Sequence, residues 1–497
     1  MYINGEWLTG RSELPVTNPA TGEIIGHVPD CTDQDIEAAI TAANCAFKEW
    51  KKTTAYHRSQ LLYRAWELMI RHKRELAELM TREQGKPLKA SLNEVQYGAD
   101  FLLWFAEEAK RVYGQNIPSA RENQRFMVQK SPVGVVGAIT PWNYPISMIT
   151  RKLAPALAAG CTVILKPAES TPLCAKAMVE IFAEAGFPAG VINVLTVQDP
   201  SRVGDVFCTD PRVRKLTFTG STPVGKKLNG LAAANMKRVS MELGGHAPAI
   251  VFPDADPVHA AKGLSLVKFL NTGQACISPN RIFVHEDHLE PFIKELTSRA
   301  SRLMAGNGMA EGVGIGPLIN EQAIQKVDSQ VKDAVALGAT VETGGQRLMK
   351  NGLSDGYFYA PTVLSGVTPA MKIYREETFG PVAPVITYRS EDDVIAMAND
   401  TEYGLAAYIY SNNMSTAMRA FEALDFGIIG INDINPTSAA APFGGMKNSG
   451  LGREGAQEGI EEYLETKLGF WGLSVLKRHN PLQPLSTVAS RGVLTFS

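Results

Sequence analysis

Three residues have the side chains and surroundings for acyl chemistry: Cys276, Glu242 and Asn143. Cys276 closes the run Phe269-Leu270-Asn271-Thr272-Gly273-Gln274-Ala275-Cys276, whose small and polar residues predict a loop and not an apolar helix face. A thiolate in an accessible loop is a nucleophile. A buried thiol is inert packing, the reading that suits Cys161 and Cys174 among their Ala, Leu and Val neighbours. Glu242 lies in Met241-Glu242-Leu243-Gly244-Gly245, where the glycines let a carboxylate come close to a ligand. A solvated loop carboxylate is the alternative. Asn143, in Thr140-Pro141-Trp142-Asn143-Tyr144-Pro145, follows a β-rich run, and its amide can donate to a developing oxyanion. An Asx-turn would use the same residue.

Two segments compete as a phosphate loop. Gly450-Leu451-Gly452-Arg453-Glu454-Gly455 matches GxGxxG but lacks the preceding strand that a dinucleotide loop requires. Phe218-Thr219-Gly220-Ser221-Thr222-Pro223-Val224-Gly225 reads as strand, tight turn and helix start. Pro223 suits a first helical turn, and the free amides with Ser221 would face a pyrophosphate. Lys166-Pro167-Ala168-Glu169 follows another strand and could hold a ribose.

The elements that must position these residues are α/β in pattern. Asn4-Gly5 predicts a hairpin. Thr32 and Asp35 form a capping box ahead of Ile36, Ile40, Ala43 and Phe47 at helical spacing, and Gly85-Lys86-Pro87 ends the helical region. From about residue 133, β-rich runs at 135–139, 162–165, 191–195 and 216–219 alternate with helical stretches, the mark of βαβ units and a parallel sheet. Ligands on such sheets sit at the carboxyl ends of strands, where each polar cluster above falls. A second α/β stretch runs from about 250 to 440, and 431–455 is loop-like.

Composition removes other classes of function. Forty-nine basic against 51 acidic residues give a net charge of −2, with no bulk attraction for nucleic acid or an anionic membrane. No apolar run reaches the roughly 20 residues of a membrane span, and no signal peptide is visible. The six cysteines show no CxxC and no regular spacing, so neither a disulfide framework nor a zinc or other metal site is expected. The expectation is a reduced, cytoplasmic, multidomain enzyme.

Seven motifs in order resemble the aldehyde dehydrogenase superfamily: PWN at 141–143, KPAEST at 166–171, FTGS at 218–221, MELGG at 241–245, GQAC ending at Cys276, EETFGP at 376–381 and PFGG at 442–445. The resemblance spans about residues 1–473. It implies an α/β fold with a Rossmann-like cofactor domain (1–113 and 133–245), an oligomerisation hairpin (114–132), a catalytic domain (246–445) and a return segment with an oligomerisation strand (446–473). Residues 474–497 read as a tail. It also implies that Cys276 is the nucleophile, that Asn143 and the Cys276 amide hold the oxyanion, and that Glu242 is the deacylating base. Glu454 would be a secondary proton-transfer carboxylate. Thr140, Pro141, Trp142, Lys166, Glu169, Gly220, Ser221, Gly225, Leu243, Glu377 and Phe379 would bind the cofactor. A carboxylate at Glu169 favours NAD over NADP, although Lys166 could still reach a phosphate.

In Trp104–Arg111, Ile149-Thr150-Arg151-Lys152, Pro279-Asn280-Arg281 and Phe443–Glu454 the sequence most resembles, within the superfamily, the succinate-semialdehyde dehydrogenases. That similarity implies that Arg151 and Arg281 grip a distal carboxylate, with Thr437 or Ser438 supplying a hydroxyl. Two guanidiniums suit a terminal anion. The loop Asp433–Ala441 is richer in Pro and Ala than the group's, which leaves room for glutarate semialdehyde or a sulfonate such as 3-sulfolactaldehyde. Ser278 stands where many of the group carry a second cysteine, so a disulfide switch of that kind is not available. A homodimer or homotetramer is implied. A non-catalytic relative would lack the nucleophile or base, and both are present.

Overall fold

A computed structural model describes residues 1–473; the tail read at 474–497 lies outside the described residues. Asn4 and Gly5 both adopt positive φ (51° and 87°) and join Tyr2–Ile3 to Glu6–Trp7 as an antiparallel hairpin. Thr32 and Asp35 make both hydrogen bonds of a capping box at the start of the helix Asp33–Trp50. Gly85, at φ 96°, ends the helix Lys73–Gln84 in the left-handed conformation.

The first large sheet has eight strands in the order Gly450–Leu451, Arg238–Glu242, Val213–Thr219, Val135–Ile139, Thr162–Lys166, Ile192–Val194, Tyr2–Ile3, Glu6–Trp7. Its central strands pair in parallel, and Val135–Ile139 and Thr162–Lys166 are buried throughout, which is why they read as unbroken apolar runs. The second sheet has seven strands, ordered Thr340–Thr343, Thr362–Ser365, Val382–Tyr388, Pro279–His285, Ala247–Val251, Ala406–Tyr410, Ile428–Ile431. Both sheets belong to one large unit, Met1–Val112 with Ser131–Glu465. Residues 446–465 are therefore part of that unit, and the return segment separates from it only at Thr466. A smaller unit holds Tyr113–Lys130 and, of the described residues, 466–473. In it Gln115–Ile117 pairs antiparallel with the strand Gln124–Pro132.

The GxGxxG look-alike at 450–455 has a structural explanation. Gly450–Leu451 is an edge strand paired antiparallel with Met241–Glu242. A Cβ on Gly450 would stand 1.9 Å from the Met241 carbonyl oxygen, and its φ is 143°. The glycine allows one backbone to close on another beside Glu242, not on a phosphate.

Candidate active site

The helix Pro257–Phe269 ends in a short turn in which Asn271 and Thr272 are both left-handed, at φ 50° and 59°. Such geometry costs on the order of 1–3 kcal/mol per residue and persists only where surrounding contacts impose it. Here the Thr272 hydroxyl donates to the Gly316 carbonyl (3.0 Å). Gln274 is wholly buried, donating Nε2 to the Pro317 carbonyl (3.2 Å) and accepting the Ile319 N–H (3.0 Å). The glutamine two residues before Cys276 is thus a strut for the turn. Gly245 is fixed by the same loop, since a Cβ there would meet the Cys276 carbonyl oxygen at 2.2 Å. Its N–H donates to Glu377 Oε1 at 2.8 Å, which ties the MELGG and EETFGP segments to the cysteine.

Asn143 is buried and donates Nδ2 to the Gln274 carbonyl at 3.0 Å, leaving its second amide hydrogen for a ligand. Its own carbonyl accepts from Asn271 Nδ2 (2.9 Å) and Lys86 Nζ (2.7 Å). Lys86 is ion-paired with Glu94, both fully buried, and its ammonium lies 4.1 Å from the Tyr144 ring centroid. Glu94 Oε1 accepts from the N–H groups of Ile146 (3.0 Å) and Ser147 (3.2 Å). One ion pair therefore holds both ends of the segment 143–147. Lys86→Met is expected to lower kcat about 100-fold by letting Asn143 drift, and to destabilise the fold by about 3–5 kcal/mol by stranding Glu94. Steady-state kinetics and thermal unfolding check this, and an unchanged kcat would show that Asn143 is held without the lysine.

Glu242 and Glu454 share a buried charged cluster with Arg151 and Lys152. Glu454 Oε1 lies 2.6 Å from Lys152 Nζ, and its Oε2 lies 2.9 Å from Arg151 Nη2. Burial pushes the Glu454 carboxyl up, but the two cations outweigh it and hold it below the usual range. Glu242 has neither carboxylate oxygen hydrogen-bonded among the described residues. Burial, and then the charge of Glu454, push it well above the usual carboxylate range. Burial likewise pushes the Cys276 thiol up to about 12, with Arg151 pulling it down and Glu242 pushing it further up.

Two cavities meet at Cys276. The first, about 410 Å³, is lined by Trp142, Gly220, Ser221, Leu243, Glu377 and Phe379, together with Cys276 and Asn143. Phe379, at φ 54°, stands edge-on to Trp142 with ring centroids 5.6 Å apart. Ser221 does not cap the helix Thr222–Ala233, so the amides of its first turn stay free for an anion. These residues fit a dinucleotide. Thr140, Lys166 and Glu169 do not line this cavity. Lys166 ends the strand Thr162–Lys166 and is ion-paired with Glu169, while the Thr140 N–H donates to the Lys166 carbonyl. Gly225 is a packing position, where a Cβ would collide with Leu243 at 2.3 Å.

The second cavity, about 480 Å³, holds Cys276, Arg151 and Thr437. It corrects two expectations. Arg281 does not line it: on the central strand Pro279–His285 the side chain is fully buried and donates to the carbonyls of His246, Met397 and Ala398 at 2.8–3.3 Å. The last two close the helix Glu391–Asn399, so its guanidinium neutralises a helix C-terminus and is unavailable to a substrate. Ser438 is exposed and accepts the Ala440 N–H at 3.3 Å in a local turn, so Thr437 is the hydroxyl that faces the cavity.

Residues 7–468 match the model of the "Aldehyde dehydrogenase family". The chain belongs to the aldehyde dehydrogenase family. It is 49% identical over 468 residues to a 3-sulfolactaldehyde dehydrogenase of Pseudomonas putida, covering 94% of this chain and 95% of that one. It is 49% identical to a mitochondrial succinate-semialdehyde dehydrogenase of Arabidopsis thaliana, covering 94% and 88%. The crystal structure of an E. coli NADP-dependent enzyme superposes with a TM-score of 0.93 at 48% identity, covering 95% and 98%.

In this aldehyde dehydrogenase the sequence reading missed Lys86, Glu94 and Lys152. Glu94 carried a legible signal, since it shares the helical spacing of the buried Ser91, Val95, Gly98 and Leu102. An acid on an apolar face needs a buried partner.

Proposed function

We propose that this chain oxidises aldehydes with a distal anionic group, succinate semialdehyde among them, to the acid, with NAD as the hydride acceptor. The observation that carries the reading is the meeting at Cys276 of a cavity whose lining fits a dinucleotide and a cavity holding Arg151. The Cys276 thiolate attacks the aldehyde carbon, and the resulting thiohemiacetal oxyanion accepts from the Asn143 amide and the Cys276 N–H. NAD, when bound, supplies the hydride acceptor; Trp142, Ser221, Leu243, Glu377 and Phe379 would hold it. Glu242 then takes a proton from the water that cleaves the Cys276 thioester, with Glu454 and Lys152 behind it as the next charged groups.

Arg151 supports the distal anion. Its Nε has no hydrogen-bond partner among the described residues, so one buried donor is free for a ligand. The same chemistry suits glutarate semialdehyde and 3-sulfolactaldehyde, since a guanidinium takes carboxylate and sulfonate alike. Arg151→Leu is expected to raise KM for succinate semialdehyde about 10–100-fold, the loss of one hydrogen bond to a charged group. KM for butanal should change little. Equal losses on both substrates would refute the anion site.

For the cofactor, the Lys166–Glu169 pair leaves the lysine's charge already compensated, so it offers little attraction to a 2′-phosphate. kcat/KM with NAD is expected to exceed that with NADP by about tenfold or more, roughly one charge–charge contact; an NADP preference would overturn this assignment. We also infer a homo-oligomer, dimer or tetramer. Leu468, Phe470 and Trp471 stand exposed on the strand Leu464–Gly472, an apolar edge that a second copy would cover. The six cysteines are all unpaired, which suits the reducing cytoplasm.

A further inference from the structure

We propose that the substrate cavity selects for an apolar spacer: among anionic aldehydes, this enzyme favours ω-oxo acids of about six carbons over the four-carbon semialdehyde. The inference rests on the distal-anion reading above and narrows it.

The charged groups of the cavity are largely compensated. Lys86 and Glu94 neutralise each other, and Arg151 is paired with Glu454 while its guanidinium stacks 4.0 Å from the Phe443 ring centroid. Leu266, Leu270, Ile277, Ile434 and Tyr97 give the wall an apolar stretch, beside the polar Asn93, Asn271, Asn435 and Thr437. Leu266 and Leu270 are the informative pair. Four residues apart at the end of the helix Pro257–Phe269, they share a face at the cavity and remain 56% and 44% exposed. A wall of this kind rewards methylenes. A cavity of about 480 Å³ is also in the range that encloses ligands far larger than a four-carbon acid. A two-arginine grip would have set chain length sharply by holding the anion from two sides. With Arg281 spent on backbone carbonyls, a single guanidinium remains, and contact with the leucines decides among chain lengths.

Each methylene moved from water onto such a wall is worth about 0.8 kcal/mol, or about fourfold in kcat/KM. Against the leucines a polar spacer gains nothing, so the hydroxyl-bearing 3-sulfolactaldehyde is expected to fall below an unsubstituted chain of equal length.

The test measures kcat/KM with NAD for ω-oxo acids of about four to eight carbons and for the matching n-alkanals. A rise of about fourfold per methylene from four to six carbons is expected in the oxo-acid series. Leu270→Asn and Leu266→Asn are expected to flatten that slope, costing the six-carbon substrate more than the four-carbon one. A rate that falls or stays level with each added methylene in the wild-type enzyme overturns the proposal, whether or not the variants fold. Alkanals matching the oxo acids at equal length would instead defeat the distal-anion reading, and the slope would still decide this one.

Discussion

Cys276→Ser is expected to lower kcat by about 10⁴-fold or more, the scale on which removing a covalent nucleophile acts. A thiol keeps a few per cent of thiolate near neutral pH and is intrinsically far more nucleophilic than a hydroxyl. The surroundings of Cys276 make the demand more severe. Burial pushes its thiol up to about 12, and Arg151 with a backbone hydrogen bond opposes that. The reactive form is the deprotonated one, so a raised pKa means that kcat/KM climbs with pH across the neutral range, approaching tenfold per unit. A serine in the same half-buried loop would face the same burial from a much higher starting point. The turn itself is held by hydrogen bonds of Thr272 and Gln274 and by the close approach of Gly245 to the Cys276 carbonyl, none of which uses the sulfur, so the variant should fold and still bind NAD. NADH formation at saturating aldehyde, with cofactor binding followed by fluorescence, checks both halves. Residual activity within tenfold of wild type would remove Cys276 from the reaction.

Local signals in the sequence placed the strands that present the site, because strands buried on both faces leave unbroken β-rich runs such as Val135–Ile139. Residues whose chemistry is their own were also legible: a cysteine in a polar loop, an acid beside two glycines, an amide after a strand. Partners supplied by distant chain were not. Lys86 reads as part of a helix stop, and nothing near it shows that its ammonium reaches the Asn143 carbonyl 57 residues on. Arg281 shows the opposite failure. Its neighbours Pro279 and Asn280 fit a substrate-binding motif, but side-chain direction on a strand depends on which elements pack on each face, and here the carbonyls of Met397 and Ala398 claim it. Gly450 misled for a related reason. Glycine spacing records that something approaches the backbone, not whether the visitor is a phosphate or another strand.

Glu242→Gln is expected to release about one equivalent of NADH per active subunit and then stall, with steady-state turnover lowered about 10²–10⁴-fold, the usual contribution of a general base. Acylation needs the thiolate and the oxyanion donors, and an amide at 242 leaves both in place. It also removes the carboxylate whose charge pushes the Cys276 thiol upward, so the burst should be no slower than in the wild type. Deacylation needs a group that takes a proton from water, and glutamine cannot. Stability gives an independent sign. Burial and Glu454 raise Glu242 well above the usual carboxylate range, so its folded pKa exceeds its unfolded one. Stability from such a group is present in full below the unfolded pKa and is lost as pH rises through the folded value. A neutral glutamine escapes that loss, so the variant should melt no lower than the wild type at neutral pH and show a weaker decline toward alkaline pH. Because the base must be ionised to act, wild-type steady-state turnover rises over that same interval. Rapid-quench measurement of the burst and a pH series of melting curves test both expectations. Slow linear turnover without a burst would place the lost step at acylation and assign Glu242 to activating the thiol, not the water.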